Sequence, residues 1–490
     1  MSGEKKGFVM GKYDLPEWVS IYKTTGKVIK IKNGKYYLYE QKCTYDKSRK
    51  FNHINKDTYL GRITKEDGFI PVKRHKTIEP NNTVSKIYGQ YALIRHCCND
   101  ILERLTADFG DYAHIIFTIA SLRAIEKTPY YDLEDAYTNS YFSVFDKTLA
   151  MSKSSLSDLL VDLSRYKNEF ISFMRKDIDE DEVLIFDGTN LLCGSQNISY
   201  SGAGYKHGHN YPAQVNQLYA YSPNRRKMVY YRLLEGSVSD AKSLSDILAE
   251  ANIKHGVAIM DNGFASEDNL AALISKKEKY ILALRRDSKY ISKEILNDGF
   301  RTNAKEKFTN NHESVFAYEN KDGLGNRICI YFNQTIASVE TSEYLDKIGK
   351  GWKGYTDENY KEACKRFGIY VIKTNVDFKL QKIYEYYKSR FEIEYLFDTL
   401  KNTLEFDKVY VHSDKALETW AFINHISISI TQKIYDCLSE HKINFSFHSV
   451  FKKLRQVVKQ RDILDREENY VLQVIPKKTK DLLEKLEIVP

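Results

Sequence analysis

DEVLIFDGTN, residues 181–190, and GVAIMDNGF, residues 256–264, decide the fold. Each holds a continuous apolar run, VLIF or VAIM, that suits a strand buried on both faces, and each run ends in an aspartate, Asp187 or Asp261. Between them lie the β-prone AQVNQLYAYS (213–222) and KMVYYRLLEG (227–236) and the helix-patterned SDAKSLSDILAEANI (239–253); after them come the helix-patterned EDNLAALISKK (267–277) and the strand-like YILALRR (280–286). The order is β-β-β-α-β-α-β. Aspartates at the C-terminal ends of adjacent central strands, roughly 4.8 Å apart, converge as two oxygen ligands of a hard cation. Because a strand-end aspartate is also a common turn former, a third acid must sharpen the case.

The chain offers one on a helix. GIYVIKTN (368–375) reads as a further strand, and a long helix is predicted from Gln381 to Leu404. At about 100° per residue, Tyr387, Arg390, Glu394 and Lys401 fall within an arc of roughly 60°. Ile393, Leu396, Phe397, Leu400 and Leu404 take the adjoining arc. One stripe packs, and its neighbour presents an acid flanked by two cations and a phenol. Taken alone this would be a solvated face with i,i+4 ion pairs. Of the other acids here, Glu392 points away from the stripe, while Asp398 shares it one turn further on with a shorter reach.

Outward from this core the pattern changes. In residues 1–82, GKVIKIKNGKYYLYEQK (26–42) places an Asn-Gly turn signal between β-prone runs and DTYLGRI (57–63) repeats the bias, which predicts a small β-rich module. Residues 83–178 read as a helical domain, with apolar residues three and four apart in YALIRHCCNDILERL, YAHIIFTIASLRAI and LSDLLVDLSRYKNEFISFM; helical modules of this kind often bind DNA, which is the expectation here, although plain helix packing is the readier reading of the spacing. Residues 179–286 and 367–435 form the two parts of the core, 287–366 a β-rich insertion domain that contains SVFAYEN, RICIYFNQTIA and Trp352, and 436–490 a helical tail.

Composition narrows the partners. Of a net charge of +8, residues 1–80 contribute +9, from 18 Lys and Arg against 9 Asp and Glu, so a basic module is joined to a nearly neutral body. That asymmetry points to a polyanion. The seven cysteines form no CxxC pair, which signals neither a zinc site nor a disulfide framework and fits a reducing cytoplasm. No apolar run approaches 18 residues, so AHIIFTIASL and AFINHISISI are expected as buried helices and no membrane partner is expected. His207 and His209 could ligate a metal, yet hard Mg²⁺ prefers oxygen, and they read as loop residues.

The spacing Tyr387-x2-Arg390-x3-Glu394-x6-Lys401 matches the YREK signature of the insertion-sequence-four superfamily of DDE transposases, and FEIEYLFDTLKNTLEF (391–406) resembles that family's catalytic helix. FDGTN and DNGF resemble its first and second acidic blocks, and GHNYPAQVNQLYAYS with LLEGSVSDAKSL resembles the region between them. The resemblance runs from about residue 180 to 435, and the β module with YLGRI is similar to one branch of the family.

It implies a multidomain α+β chain with an RNase H-like α/β core, a mixed sheet flanked by helices, interrupted by a β-rich insertion. It assigns Asp187, Asp261 and Glu394 as catalytic metal ligands for two Mg²⁺ ions, with Mn²⁺ as a substitute. Tyr387, Arg390 and Lys401 would hold DNA phosphates, and Trp352 would stack on a flipped base, although a packed tryptophan is the plainer reading. The implied activity is cleavage at transposon-end inverted repeats and joining of the 3′-hydroxyl ends to target DNA, cut-and-paste through a hairpin. The implied setting is a homodimer on double-stranded DNA in a bacterial cytoplasm, at the nucleoid when bound. Two alternatives stand beside it, a catalytically retired transposase-derived DNA-binding protein and a stand-alone Mg-dependent nuclease.

Overall fold

The computed structural model describes residues 15–46, 51–72, 83–126, 128–203, 213–236, 256–264, 267–275, 278–299, 301–398, 408–464 and 469–490, with 247, 250 and 251. His207, His209, Lys401 and most of the stretch 239–253 lie outside them. Two compact units emerge, Met1–Thr83 with Asp462–Arg466, and Val84–Arg461 with Glu467–Pro490.

In the smaller unit, strands β1 (Lys27–Lys32), β2 (Lys35–Asp46), β3 (Phe51–Thr64) and β4 (Gly68–Pro71) form an antiparallel sheet in that order. Asn33 (φ 48°) and Gly34 (φ 71°) make the predicted tight turn, because both central residues of such a hairpin need positive φ. Gly61 is fixed by space: a Cβ there would lie 2.2 Å from the Ile70 carbonyl oxygen across the β3–β4 pair. One face buries Val19, Leu38 and Ile63 against Trp18 and Phe69; Tyr37, Tyr39 and Tyr59 pack on one another beside Lys30 on the other strand positions.

The larger unit is built on a mixed sheet flanked by helices. In chain order its strands are β6 (Val183–Leu192), β7 (Gly202–Ala203), β8 (Ala213–Ser222), β9 (Lys227–Glu235), β10 (Val257–Met260), β11 (Lys279–Leu284), β12 (Glu306–Asn310), β13 (Glu313–Lys321), β14 (Arg327–Asn333) and β15 (Ile369–Thr374). Laterally the order is β12-β13-β14-β15-β11-β10-β6-β8-β7, with β9 paired to β8. The neighbours of β10 on either side, β6 and β11, run parallel to it, and the other strand pairs among the described residues of the sheet are antiparallel. Val183–Phe186, Val257–Met260 and Tyr280–Ala283 are buried throughout, as strands covered on both faces must be.

Three expectations change. Residues 287–366 do not build a sheet of their own: β14 pairs with β15, so their strands extend the core sheet, and Asn333 caps a helix, Gln334–Gly349, where the sequence suggested more strand. The tail is not wholly helical. Val458–Asp462 (β16) pairs with Val471–Leu472 (β17) and forms a small sheet with Thr83–Ile87 (β5). Nor does the helical block 83–178 stand apart as a body, because its helices share the hydrophobic core of the larger unit.

The reason lies in the two apolar runs read as buried helices. Ala113–Glu126 and Asp414–Glu440 pack together, and the second is buried along most of its length, polar residues included. Arg123, 2% exposed, spends its donors on Asn424 Oδ1 (2.8 Å) and the Thr128 carbonyl (2.9 Å) and lies 4.4 Å from the Trp420 ring. A guanidinium so buried is tolerated only while those acceptors hold.

His425, on the same helix, is buried with its Nδ1 unpartnered among the described residues. Burial lowers its pKa from 6.5 to about 4. The native imidazole therefore stays neutral where the unfolded one protonates, so its contribution to stability is complete above pH 6.5 and is lost as pH falls from 6.5 toward 4. Urea unfolding at pH 7, 6 and 5 should show a loss of up to about 1.4 kcal/mol per pH unit from this one proton, and His425→Leu should flatten it. Equal pH dependence in the variant would refute the assignment.

Candidate active site

Register brings the first two acids together. Val183–Phe186 pair in parallel with Val257–Met260, Phe186 opposite Met260, and the next residue in each strand is the aspartate. Asp187 is not a strand end: β6 continues to Leu192 because Asp187–Leu192 keep pairing with Tyr219–Gln214 of β8. Only β10 stops, which leaves Asp261 39% exposed at the lip of the sheet. Each aspartate accepts the following backbone N–H at its Oδ1, from Gly188 at 2.9 Å and Asn262 at 2.7 Å, so the same local bond orients both carboxylates.

The third acid arrives on a helix that is interrupted. The predicted Gln381–Leu404 helix is instead two, Leu380–Lys388 and Arg390–Asp398, with residues 399–407 outside the described set. Ser389 separates them. Its hydroxyl donates to the Tyr386 carbonyl at 2.8 Å, its own carbonyl accepts from Glu392 three residues on, and the tighter turn breaks the phase that would have carried Tyr387 onto the outer stripe. Tyr387 accordingly turns inward, 8% exposed beside Tyr370, and burial pushes its phenol up to about 12 while Arg390 pulls the other way.

Arg390 ties the cluster. Its Nη1 donates to Asp261 Oδ2 at 2.8 Å and its Nη2 lies 3.1 Å from Glu394 Oε1, one turn along. Burial opposes its charge, but Asp261, Tyr387, Glu394 and Asp187 outweigh it and raise the guanidinium pKa. Two of the predicted acids thus pair with one cation, and Asp187 lies near enough for its charge to favour it, with Glu394 45% and Arg390 14% exposed. The donor set suits a hard divalent cation: every oxygen is carboxylate, and two of the acids remain open to solvent. Among the described residues no three such side chains are already gathered closely enough to hold an ion.

Glu392 faces elsewhere, as its helical phase predicts, and accepts a hydrogen bond from the buried Tyr221 of β8. It anchors the Arg390–Asp398 helix to the sheet. Trp352 is 56% exposed in the turn after the Gln334–Gly349 helix, near Tyr355 and 6.0 Å from Lys347 Nζ, so the packed reading fails. Lys388 and Arg286, close to Tyr370 and Arg390, were not singled out from sequence, since no spacing marks them.

The transposase DDE domain family matches residues 178–430, more than half of the chain, and the chain belongs to that family. Membership implies a metal-dependent, DNA-cleaving enzyme of DNA transposition. No curated protein matches the chain. Among solved structures, a piggyBac transposase in a synaptic complex with hairpin DNA is similar at a TM-score of 0.38 and 12% identity, over 82% of this chain and 85% of that one, a likeness too low to carry an argument.

The Tyr221–Glu392 anchor has a measurable weight. Glu392→Gln keeps an acceptor for the phenol and should be close to wild type in stability. Glu392→Leu strands a buried hydroxyl and should cost roughly 1–3 kcal/mol in denaturant unfolding; equal stability of the two variants would show that the bond does not hold the helix.

Proposed function

We propose that this chain is a YREK-type transposase of the insertion-sequence-four superfamily, with an RNase H-like core, that cuts DNA at transposon-end inverted repeats and joins the ends to target DNA. The observation that carries the reading is Arg390, which pairs with Asp261 and Glu394 where β10 lies beside the strand that bears Asp187. The lateral order β9-β8-β6-β10-β11, an antiparallel three-strand unit followed by two parallel strands, supports the RNase H-like part.

In this reading Asp187, Asp261 and Glu394 hold two Mg²⁺ ions, or Mn²⁺ in their place. When bound, these ions lower the pKa of the attacking water and balance charge on the leaving oxygen. The water oxygen bonds to phosphorus as the bond to the 3′ oxygen breaks, which leaves a 3′-hydroxyl and a 5′-phosphate. That hydroxyl attacks the opposite strand's phosphorus and expels the flanking DNA's 3′ oxygen, which closes a hairpin; a second water opens it and frees the 3′-hydroxyl again, which then attacks a target phosphorus and expels the target's own 3′ oxygen. Arg390 and Lys401 steady the phosphates, where a guanidinium acts on charge that develops in the transition state; Tyr387, expected from sequence to share that role, is turned inward and backs Arg390 instead. Trp352, exposed on its turn, stacks on a base near the cut, worth about 1–3 kcal/mol. The basic module 1–82 and the helical block 83–178 grip the transposon end, a homodimer pairs two ends, and the work is done in a bacterial cytoplasm at the nucleoid.

The test is a cleavage assay on a duplex carrying the inverted repeat that flanks the gene, with Mg²⁺ and then Mn²⁺. Wild type should cut and transfer; Glu394→Gln should lose cleavage yet bind the same duplex; Trp352→Ala should slow cutting or hairpin formation in a folded protein. Cutting by Glu394→Gln near the normal rate would break the proposed triad. Binding without cutting by wild type would favour a retired enzyme, and cutting without strand transfer a nuclease.

A further inference from the structure

Three cations gather on the Tyr370 side of the acidic cluster, and two of them are paired. Arg390 holds Asp261 and Glu394. Arg286, just beyond β11, meets both oxygens of Glu340 through Nη1 at 2.7 and 2.8 Å, and Glu340 also accepts the Gly368 N–H at 2.8 Å.

Lys388 differs. It ends the Leu380–Lys388 helix one residue before Ser389, with its Nζ 4.6 Å from the Phe391 ring centroid, 4.9 Å from Tyr370 and 5.9 Å from Tyr384. Among the described residues it makes no ion pair and no hydrogen bond. Glu313, whose charge favours it, lies beyond ion-pair reach and accepts from Asn333 Nδ2 at 2.7 Å. Burial pushes the ammonium below the usual lysine range, and Arg390 and Arg286 push the same way.

A residue needed only to fill a ring-lined notch would be Leu or Met, which pack there without desolvating a charge or facing two guanidiniums. The π faces offset only part of that cost. An anion entering beside Phe391 would complete the pairing, and Lys388 stands two residues from the Arg390 that ties the acids.

We propose that Lys388 is a positioning residue that holds a backbone phosphate of the DNA strand lying against the acidic cluster. The inference rests on the reading that this site works on DNA.

The test compares wild type, Lys388→Met and Lys388→Arg, all full length, for binding of the terminal-repeat duplex over a series of NaCl concentrations. Met keeps the contact with the rings and removes the charge; Arg keeps the charge. With Lys388→Met, log K against log[salt] should flatten by about 0.9, one phosphate's worth, with several-fold weaker binding at low salt, while Lys388→Arg keeps the wild-type slope. Melting temperatures fix the reference: Lys388→Met, if folded and unchanged in slope, overturns the proposal. If Lys388→Met fails to fold, Lys388→Gln replaces it under the same criterion. A wild type whose binding does not depend on salt would instead sink the DNA-acting reading itself.

Discussion

The parallel pairing of β6 with β10 is the constraint on which the rest depends. Once Phe186 lies opposite Met260, two aspartates must lie side by side, and like charges that close are unfavourable unless a cation stands between or beside them. Arg390 is that cation, and its reach to Asp261 and Glu394 fixes where the Arg390–Asp398 helix can dock. The Tyr221–Glu392 bond sets the same helix from its other side. The helix is therefore held by polar contacts on two faces, with Ile393 buried between them.

Behind the sheet the packing is polar in an unusual place. The Asp414–Glu440 helix buries Thr419, Asn424, His425, Ser427, Thr431 and Gln432, and Arg123 of a neighbouring helix donates its Nε–H to Asn424 there. Ser427 and Thr431 satisfy their hydroxyls within the helix, whereas Thr419 reaches the Leu160 carbonyl and Asn424 accepts from Arg123, so the cross-helix bonds are costly to break. They tie residues 83–178 to the core, so a segment with the sequence character of an independent helical domain is part of the structure that supports the site.

Much of this was legible because the signals are local. An Asn-Gly turn, buried apolar runs ending in Asp, and apolar spacing along helices each follow from one stretch of chain. What escaped the sequence depends on distant partners. The extension of the sheet by β12–β14 needs β15, some forty residues further on than β14, and the strand character of Val458–Asp462 needs β5, far upstream. The helix break is different: Ser389 can continue a helix or back-bond and tighten the turn, and only the docking of both halves decides. For the same reason Tyr387 carries the spacing of an outward residue and the burial of an inward one. Lys388 carries no spacing signal at all, because its surroundings come from β15, the turn and its own helix together.

Under the proposed function Asp187, Asp261 and Glu394 act as one cation-holding cluster, which Mn²⁺ binding reads out through the electron paramagnetic resonance of the ion in the presence of the terminal-repeat duplex. Asp187→Asn, Asp261→Asn and Glu394→Gln should each remove Mn²⁺ binding from a folded protein, and Glu392→Gln should not. Wild-type Mn²⁺ binding by Asp187→Asn, Asp261→Asn and Glu394→Gln alike would refute the cluster.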